Sequence, residues 1–340
     1  MVTMLNVMSV KRLHGFWALA LLLSGCMSGS DTHQLTDGAQ TVAETQPMQG
    51  TQPTEGAQPM EETQPTETQP VEEAEAPEFP AATATPAATD WWKPLASDNL
   101  TWQWQLQGEI DTSFMVDVYN VDIDTPANKI NELKARNVKL ICYFSAGTVE
   151  LFRDDENQIP QRSRGEQYED LTDERWLDYS QFEEFSNVML ARMDRCKELG
   201  FDAIEADNVD AHNYESRDEF GNVVNIGTNF NINLDHSIAY VRWLSAQAHL
   251  RGLAFGLKNA EEIASTVIDD IDYMITEDCY VDSWCDAASV LVEANKTVFM
   301  AEYTDLVPDF TPACEKAKML GFSAIWRDPG LENETYLACE

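Results

Sequence analysis

Basic residues are scarce in this sequence: 22 Lys and Arg stand against 59 Asp and Glu, leaving a net charge of −37. A chain this acidic repels phosphate backbones, which excludes nucleic acid as a partner and favours cationic ligands. Glycine-rich phosphate loops are missing as well. No Gly-x-Gly-x-x-Gly pattern follows a candidate strand, so a dinucleotide fold is disfavoured. Cys-x-x-Cys pairs and His–Cys clusters are absent, and the run from Asp207 to His212 lacks the Gly and spacing of a calcium loop. No metal and no cofactor is expected. The apolar run Phe16 to Leu23 is too short for a mature membrane-spanning helix.

What is present divides into three zones. Lys11 and Arg12 precede that apolar run, which has the form of a signal peptide over residues 1–25. It closes on Leu23-Ser24-Gly25-Cys26, which resembles a bacterial lipobox, so Cys26 is the expected lipidation site. An anchor of this kind holds a protein on a membrane without crossing it. The expected location is export, with lipid anchoring to the cell envelope or surface. Residues 26–90 follow as a lipidated Cys and a Thr/Gln/Pro/Glu-rich tether, with Gln-Pro recurring at 46, 52, 58, 64 and 69. From 27 to 90 there is no Lys, Arg, Cys or Trp, so this segment cannot bury enough apolar surface to offset its ordering entropy and reads as disordered. As a flexible coil it spans roughly 45 Å.

Residues 91–340 hold eight of the nine Trp, six of the seven Cys and a net charge of −27. About 250 residues suit a single barrel domain. Candidate strands fall at 102–106, 113–119, 139–145, 203–207, 254–258, 273–277, 297–303 and 323–327, with amphipathic stretches at 180–199, 234–251, 286–295 and 311–320 between them. That alternation predicts an α/β fold, the (β/α)8 TIM barrel. An internal echo supports it: KELGFDAIEAD (197–207) and KMLGFSAIWRD (318–328) each pair a helix end and a Gly suited to the left-handed position with an apolar strand ending in Asp. In an exported domain the six cysteines are disulfide candidates. Cys279 and Cys285 are close enough to staple one loop, Cys314 and Cys339 can fasten the C-terminal tail, and Cys142 and Cys196 fall on a strand and near a helix end, with pairing otherwise open.

The chemistry is read from strand ends. Side chains alternate along a strand, so Ile204 and Ala206 pack outward while Glu205 and Asp207 face the barrel axis, Asp207 nearest the C-terminal mouth where barrel enzymes keep their sites. Acids also close other strands: Asp117, Glu277, Glu302 and Asp328. Converging carboxylates raise one another's pKa, so one can act as an acid while another stays ionised, which is the equipment for glycosidic cleavage. Asp117, Glu205 and Glu302 are expected to meet cationic groups of a ligand. Lys258 is expected to hold a carboxylate ionised or contact sugar hydroxyls, and Asn208 joins the substrate-binding set. Tyr143, Tyr303 and Trp326 are expected as sugar-stacking aromatics. Trp102 and Trp104 share one face of the first strand and read as wall packing.

Taken together, WQWQL (102–106), YFSAG (143–147), GFDAIEADNVD (200–210), GLKN (256–259), TEDC (276–279) and EY (302–303) resemble glycoside hydrolase family 114, the endo-α-1,4-polygalactosaminidases, over nearly all of the folded zone. The resemblance implies a (β/α)8 barrel that hydrolyses α-1,4-linked galactosamine polymers, with a catalytic Asp ending the fourth strand and a Glu ending the sixth: Asp207 and Glu277. It further implies an endo-acting, retaining enzyme on a cationic or partly deacetylated polysaccharide. This chain departs from the family pattern at Ala206, where Pro is usual, and in TEDC, where NEQC is usual. The alternatives are a surface lipoprotein that binds cationic glycan without cutting it, and a hydrolase for another α-glycan. A monomer is expected, touching membrane only through its lipid.

Overall fold

The computed structural model describes residues 90–168, 171–214, 216–217, 223–224 and 227–340; the expected signal segment, Cys26 and the expected tether up to residue 89 lie outside the described residues. Eight parallel strands follow one another round a single sheet in chain order: β1 (Trp102–Gln105), β2 (Val118–Asp122), β3 (Lys139–Ser145), β4 (Ala203–Asp207), β5 (Ala254–Lys258), β6 (Tyr273–Glu277), β7 (Val298–Tyr303) and β8 (Ser323–Arg327). A ninth strand, β9 (Tyr336–Ala338), lies antiparallel on β8. Among the described residues six α-helices run between them: α1 (Ala127–Ala135), α2 (Ser186–Leu199), α3 (Leu234–Leu250), α4 (Glu261–Ala264), α5 (Cys285–Glu293) and α6 (Thr311–Leu320). No described helix is long and apolar enough to cross a membrane.

This is the barrel that the alternating pattern predicts, with two corrections. The connection from β1 to β2 carries no helix, and the second strand lies later than 113–119. Its ladder begins with Trp102 opposite Val118, because the Asp117 carboxylate accepts the Thr101 amide at 2.9 Å and hydroxyl at 2.7 Å and so fixes the entry to both strands. Among the described residues no backbone ladder joins β1 to β8. Side chains close that seam. The Trp102 indole donates to the Ser323 carbonyl at 2.8 Å, Arg327 donates to the Gln103 side chain, and the Tyr336 hydroxyl donates to the Trp102 carbonyl at 2.9 Å.

The echoed αβ units form as their glycines dictate. Gly200 and Gly321 end α2 and α6 at φ 89° and 74°, a left-handed turn that a side chain would strain. The backbone amides of Phe201 and Phe322 reach back to Cys196 and Ala317, turning each chain directly into the next strand.

Alternation along the strands sorts the apolar residues into two cores. Ile204, Ala206, Phe255, Leu257, Met274, Val298 and Met300 face the helices. Trp102, Trp104, Val118, Ile141, Ala203, Ala254, Tyr273, Ile275, Phe299, Ala301, Tyr303 and Ile325 fill the barrel interior. Space for the Tyr273 ring exists because its neighbour is Gly256, where a Cβ would lie 2.2 Å from that ring.

Three disulfides form: Cys142–Cys196, Cys279–Cys285 and Cys314–Cys339. The first ties β3 to α2 across 54 residues, which in the chain-entropy model is worth about 4 kcal/mol. Within that span an excursion leaves the barrel and builds a small antiparallel sheet from Thr148–Glu150, Glu174–Leu177 and Arg164–Gln167. Buried Arg153 fastens the excursion to the end of β2, reaching Asp122 at 2.7 Å and Asp124 at 2.9 Å while also pairing with Glu150.

The turn between β3 and the excursion passes so close to the end of β4 that a Cβ on Gly147 would lie 1.6 Å from the Asn208 carbonyl oxygen. Backbone cannot move aside as a flexible side chain can. Gly147→Ala is therefore expected to cost about 3 kcal/mol in chemical denaturation, at the upper end of overpacking penalties; a variant as stable as wild type would show that the approach is not needed.

Candidate active site

Four neighbouring strands deliver their last inward side chain to one point at the C-terminal mouth. On β4 Ala203, Glu205 and Asp207 face inward, on β5 Ala254, Gly256 and Lys258, on β6 Tyr273, Ile275 and Glu277, and on β7 Phe299, Ala301 and Tyr303. Immediately after three of these ends the backbone turns left-handed, at Asn208 (φ 63°), Asn259 (φ 48°) and Asp278 (φ 55°). Asn and Asp adopt that conformation more readily than other side-chain-bearing residues, so the chain leaves each strand abruptly and the terminal side chain stays over the barrel.

Lys258 is at the centre and is buried. Its ammonium lies 3.1 Å from Glu205 Oε1, 3.1 Å from Asp207 Oδ1 and 2.9 Å from Glu277 Oε2, and 4.7 Å from the centre of the Trp104 ring beneath it. Burial alone would depress the lysine, but Asp207, Glu277 and Glu205 outweigh it and hold Lys258 well above its usual pKa. It is a fixed cation. Because one atom touches both, the Asp207 and Glu277 oxygens facing it cannot be further apart than the sum of the two contacts, 6.0 Å.

Three carboxyls around one ammonium are not all ionised cheaply. The innermost, Glu205, is fully buried; burial pushes it up to about 7, while Lys258 and the Asn120 amide, which donates to it, pull the other way. The two outer carboxylates each receive a phenol: Tyr143 donates to Asp207 Oδ2 at 2.9 Å, and Tyr303 donates to Glu277 Oε1. Burial and the adjacent carboxylate raise each phenol well above its usual range, so both remain donors. The Asn208 amide adds a 2.8 Å hydrogen bond to Asp207 Oδ1, and the Asn208 side chain donates to Ser145 Oγ at 3.0 Å.

Asp207, Glu277, Glu205, Lys258, Tyr143, Asn208 and Tyr303 are thus assembled in one place, the two tyrosines as hydrogen-bond donors to carboxylates. Three other predicted residues are located elsewhere. Asp117 lies at the opposite, N-terminal end of β2, exposed and bonded to Thr101; the inward position of β2 belongs to Asn120. Glu302 faces outward, because Phe299, Ala301 and Tyr303 take the inner face of β7; its carboxylate accepts the Tyr280 amide at 2.8 Å beneath the Cys279–Cys285 loop, and burial raises it to about 7. Trp326 faces outward too, stacked on Phe310 with its indole donating to the Val307 carbonyl at 2.9 Å. Asp328, beyond β8, caps a loop by accepting the Glu332 amide at 2.8 Å and the Thr335 amide at 3.1 Å.

Sequence reasoning passed over Trp104 as wall packing, and did not raise Asn120 or Asn259, whose side-chain oxygen accepts the Glu277 amide at 2.9 Å. Trp104 and Asn259 sit on or just after strands whose inward register the neighbouring residues define, whereas Asn120 lies past the expected end of the second strand. Cys279, Cys285 and Glu302 have atoms close enough for a metal, but the two sulfurs are joined to each other.

A model of glycoside-hydrolase family GH114 matches residues 81–340. Among solved structures the chain is similar to Aspergillus fumigatus Ega3 in its complex with galactosamine, at 28% identity and a TM-score of 0.65, covering 75% of this chain and 100% of that one. The glycoside hydrolase domain of PelA from Pseudomonas aeruginosa shares the fold at 11% identity and a TM-score of 0.50, covering 70% of this chain and 96% of that one. A search of curated proteins finds no match.

The raised carboxyls set a pH dependence of stability. Glu205 and Glu302, near 7 in the folded state, bind protons there that the unfolded chain has already released above its usual carboxylate range. Folding is then opposed increasingly as pH rises from about 4.5 to 7, and the contribution of these two groups is constant beyond. Thermal midpoints should fall across that window, and Glu302→Gln should flatten the fall. A midpoint that climbs through the window in wild type would contradict the burial of these groups.

Proposed function

The chain belongs to glycoside-hydrolase family GH114 and is a glycosidase, and from that premise we propose that it cleaves α-1,4-linked galactosamine polymers internally, with Asp207 and Glu277 as its catalytic pair and retention at the anomeric carbon. The observation that carries the pair is the single ammonium of Lys258 within 3.1 Å of one and 2.9 Å of the other. Facing oxygens at most 6.0 Å apart fall short of the ~6.5–9.5 Å that leaves room for a water between the carboxyls, which supports the closer ~5–5.5 Å arrangement of retaining enzymes. Galactosamine as the substrate unit is supported by the likeness to Ega3, whose structure contains it, and by an acidic domain suited to a cationic polymer.

In the proposed reaction Asp207 attacks the anomeric carbon while Glu277 protonates the departing glycosidic oxygen; Glu277 then takes a proton from water, which releases the sugar from Asp207. Tyr143, the Asn208 amide and Lys258 fix the nucleophile by holding both of its carboxylate oxygens. Tyr303 and the Asn259-bound amide fix Glu277. Lys258 also bears the charge change of the cycle: whichever outer carboxylate is neutralised, its ammonium keeps the other as partner.

Export with a lipid anchor at Cys26 belongs to the same proposal. Three disulfides in one domain fit an oxidising compartment outside the cytosol.

Asp207→Asn and Glu277→Gln are each expected to lower kcat at least about 10³-fold on deacetylated α-1,4-galactosaminan. Proton NMR of the first product released by wild type should show the α-anomer before mutarotation. The β-anomer as first product would replace retention with inversion, and full activity in either variant would remove that residue from the pair.

A further inference from the structure

The acids expected from sequence to meet a cationic ligand are spent elsewhere: Asp117 at the far end of the barrel, Glu302 under the disulfide loop, and Glu205 beneath Lys258. One further carboxyl stands beside the site. Glu174 opens the middle strand of the excursion sheet, where its backbone is opposite Glu150 and where Trp176, two residues on, is opposite Thr148. The Thr148 hydroxyl donates to Glu174 Oε2 at 3.0 Å and lies 2.6 Å from Ser145 Oγ, which in turn accepts the side-chain amide of Asn208, the residue after Asp207. A continuous chain of hydrogen bonds thus runs from Glu174 to the turn that presents the nucleophile.

Glu174 is half-buried, and among the described residues Thr148 is the one hydrogen-bond partner of its carboxyl; no Lys, Arg or His pairs with it. That sets it apart. Asp207 and Glu277 share Lys258, and Glu150 has Arg153. Burial pushes Glu174 up to about 8, with Glu150, Asp207 and Asp173 acting in the same direction and the Thr148 hydrogen bond against it. A half-buried carboxyl surrounded by acids and lacking a counter-ion is costly unless something cationic arrives. The proposed substrate carries an ammonium on every deacetylated sugar.

Resting on the galactosamine reading, we propose that Glu174 is a specificity-determining residue that receives the ammonium of a deacetylated sugar bound beside the scissile bond, supplying through the substrate the counter-ion that the protein withholds. A substrate ammonium there favours the ionised carboxylate, so binding and deprotonation of Glu174 reinforce each other. An N-acetylated sugar brings no charge and gains nothing from the contact. Selectivity for deacetylated polymer then resides outside the catalytic pair, in the excursion between β3 and α2.

The test compares wild type with Glu174→Gln, which keeps the acceptor for Thr148, and with Glu174→Asp, which keeps the charge on a shorter arm. Steady-state rates are measured on deacetylated and on N-acetylated α-1,4-galactosaminan, and galactosamine oligomers are titrated calorimetrically into each protein. Glu174→Gln should lower the deacetylated-to-acetylated ratio of kcat/KM about tenfold, the size of one charge-assisted contact, with Glu174→Asp intermediate. A merely structural role would lower both rates together and leave the ratio at its wild-type value, which overturns the proposal. If wild type shortens neither polymer, the substrate reading has failed by itself, and the titration still decides Glu174: undiminished binding of galactosamine oligomers by the Gln variant rejects the assignment, and weakened binding supports it.

Discussion

A single buried ammonium organises the mouth of this barrel. Lys258 is buried, so it is stable there only because three carboxyl groups converge on it; they, in turn, can share so small a volume only because it is there. Each half of the arrangement would be prohibitive alone. The geometry follows from three adjacent parallel strands, β4, β5 and β6, which place their inward ends side by side with the cation on the middle one. Trp104 supplies the floor, presenting an aromatic face to the ammonium at the depth where a polar group would otherwise be needed.

How far this was legible in the sequence depends on whether a strand declares which face is which. β4 reads Ala-Ile-Glu-Ala-Asp, where only one parity carries charge, so the inward set could be assigned without a structure. The Lys258 and Glu277 positions follow by the same reasoning, since each closes a strand and precedes an Asn or Asp able to turn left-handed. β7 and β8 are different. Val-Phe-Met-Ala-Glu-Tyr and Ser-Ala-Ile-Trp-Arg are apolar on both faces because both are buried, one in the barrel and one under helices. A terminal Glu or Trp then has no assignable side, and Glu302 and Trp326, expected as ligand contacts, face outward. For β2 the apolar pattern continues from Phe114 to Val121, and its boundary is set by the Asp117 contact with Thr101, a tertiary event with no local signature. Glu174 was invisible for a related reason: it lies in an excursion without helical or strand periodicity long enough to read.

The excursion also explains why so many charged residues surround β3. Leaving the barrel between β3 and α2 places Glu150, Arg153, Asp155 and Arg192 in the layer where a shorter crossover would put apolar packing. Arg153 and Arg192 satisfy these acids, and Arg192 also donates to the Ser145 carbonyl at 2.8 Å. Arg153 and Arg192 are thus committed to holding the excursion against the barrel, and neither pairs with Glu174. For the polycationic ligand proposed above, a carboxyl without a basic partner among the described residues is a binding determinant.

The two outer carboxylates are held by unlike means, and the difference matters for how each can fail. Asp207 is located by hydrogen bonds and close approach: its carbonyl accepts the Ala146 and Gly147 amides at 2.9 and 3.0 Å, and Asn208 returns to Ser145. Glu277 is located by covalent closure, since Cys279–Cys285 shuts a loop two residues beyond it and the Glu302 carboxylate receives the Tyr280 amide from below. A left-handed residue at 208 or 278 would by itself leave a strand end free to fray, because the strain of that conformation favours any alternative backbone. Each turn is therefore over-determined, one by many weak contacts that act together and one by a single bond insensitive to pH and temperature. Opening the Cys279–Cys285 loop alone should loosen the Glu277 side while the β3 contacts keep Asp207 in register, so the geometry between the two carboxyls, more than either position alone, depends on that closed loop.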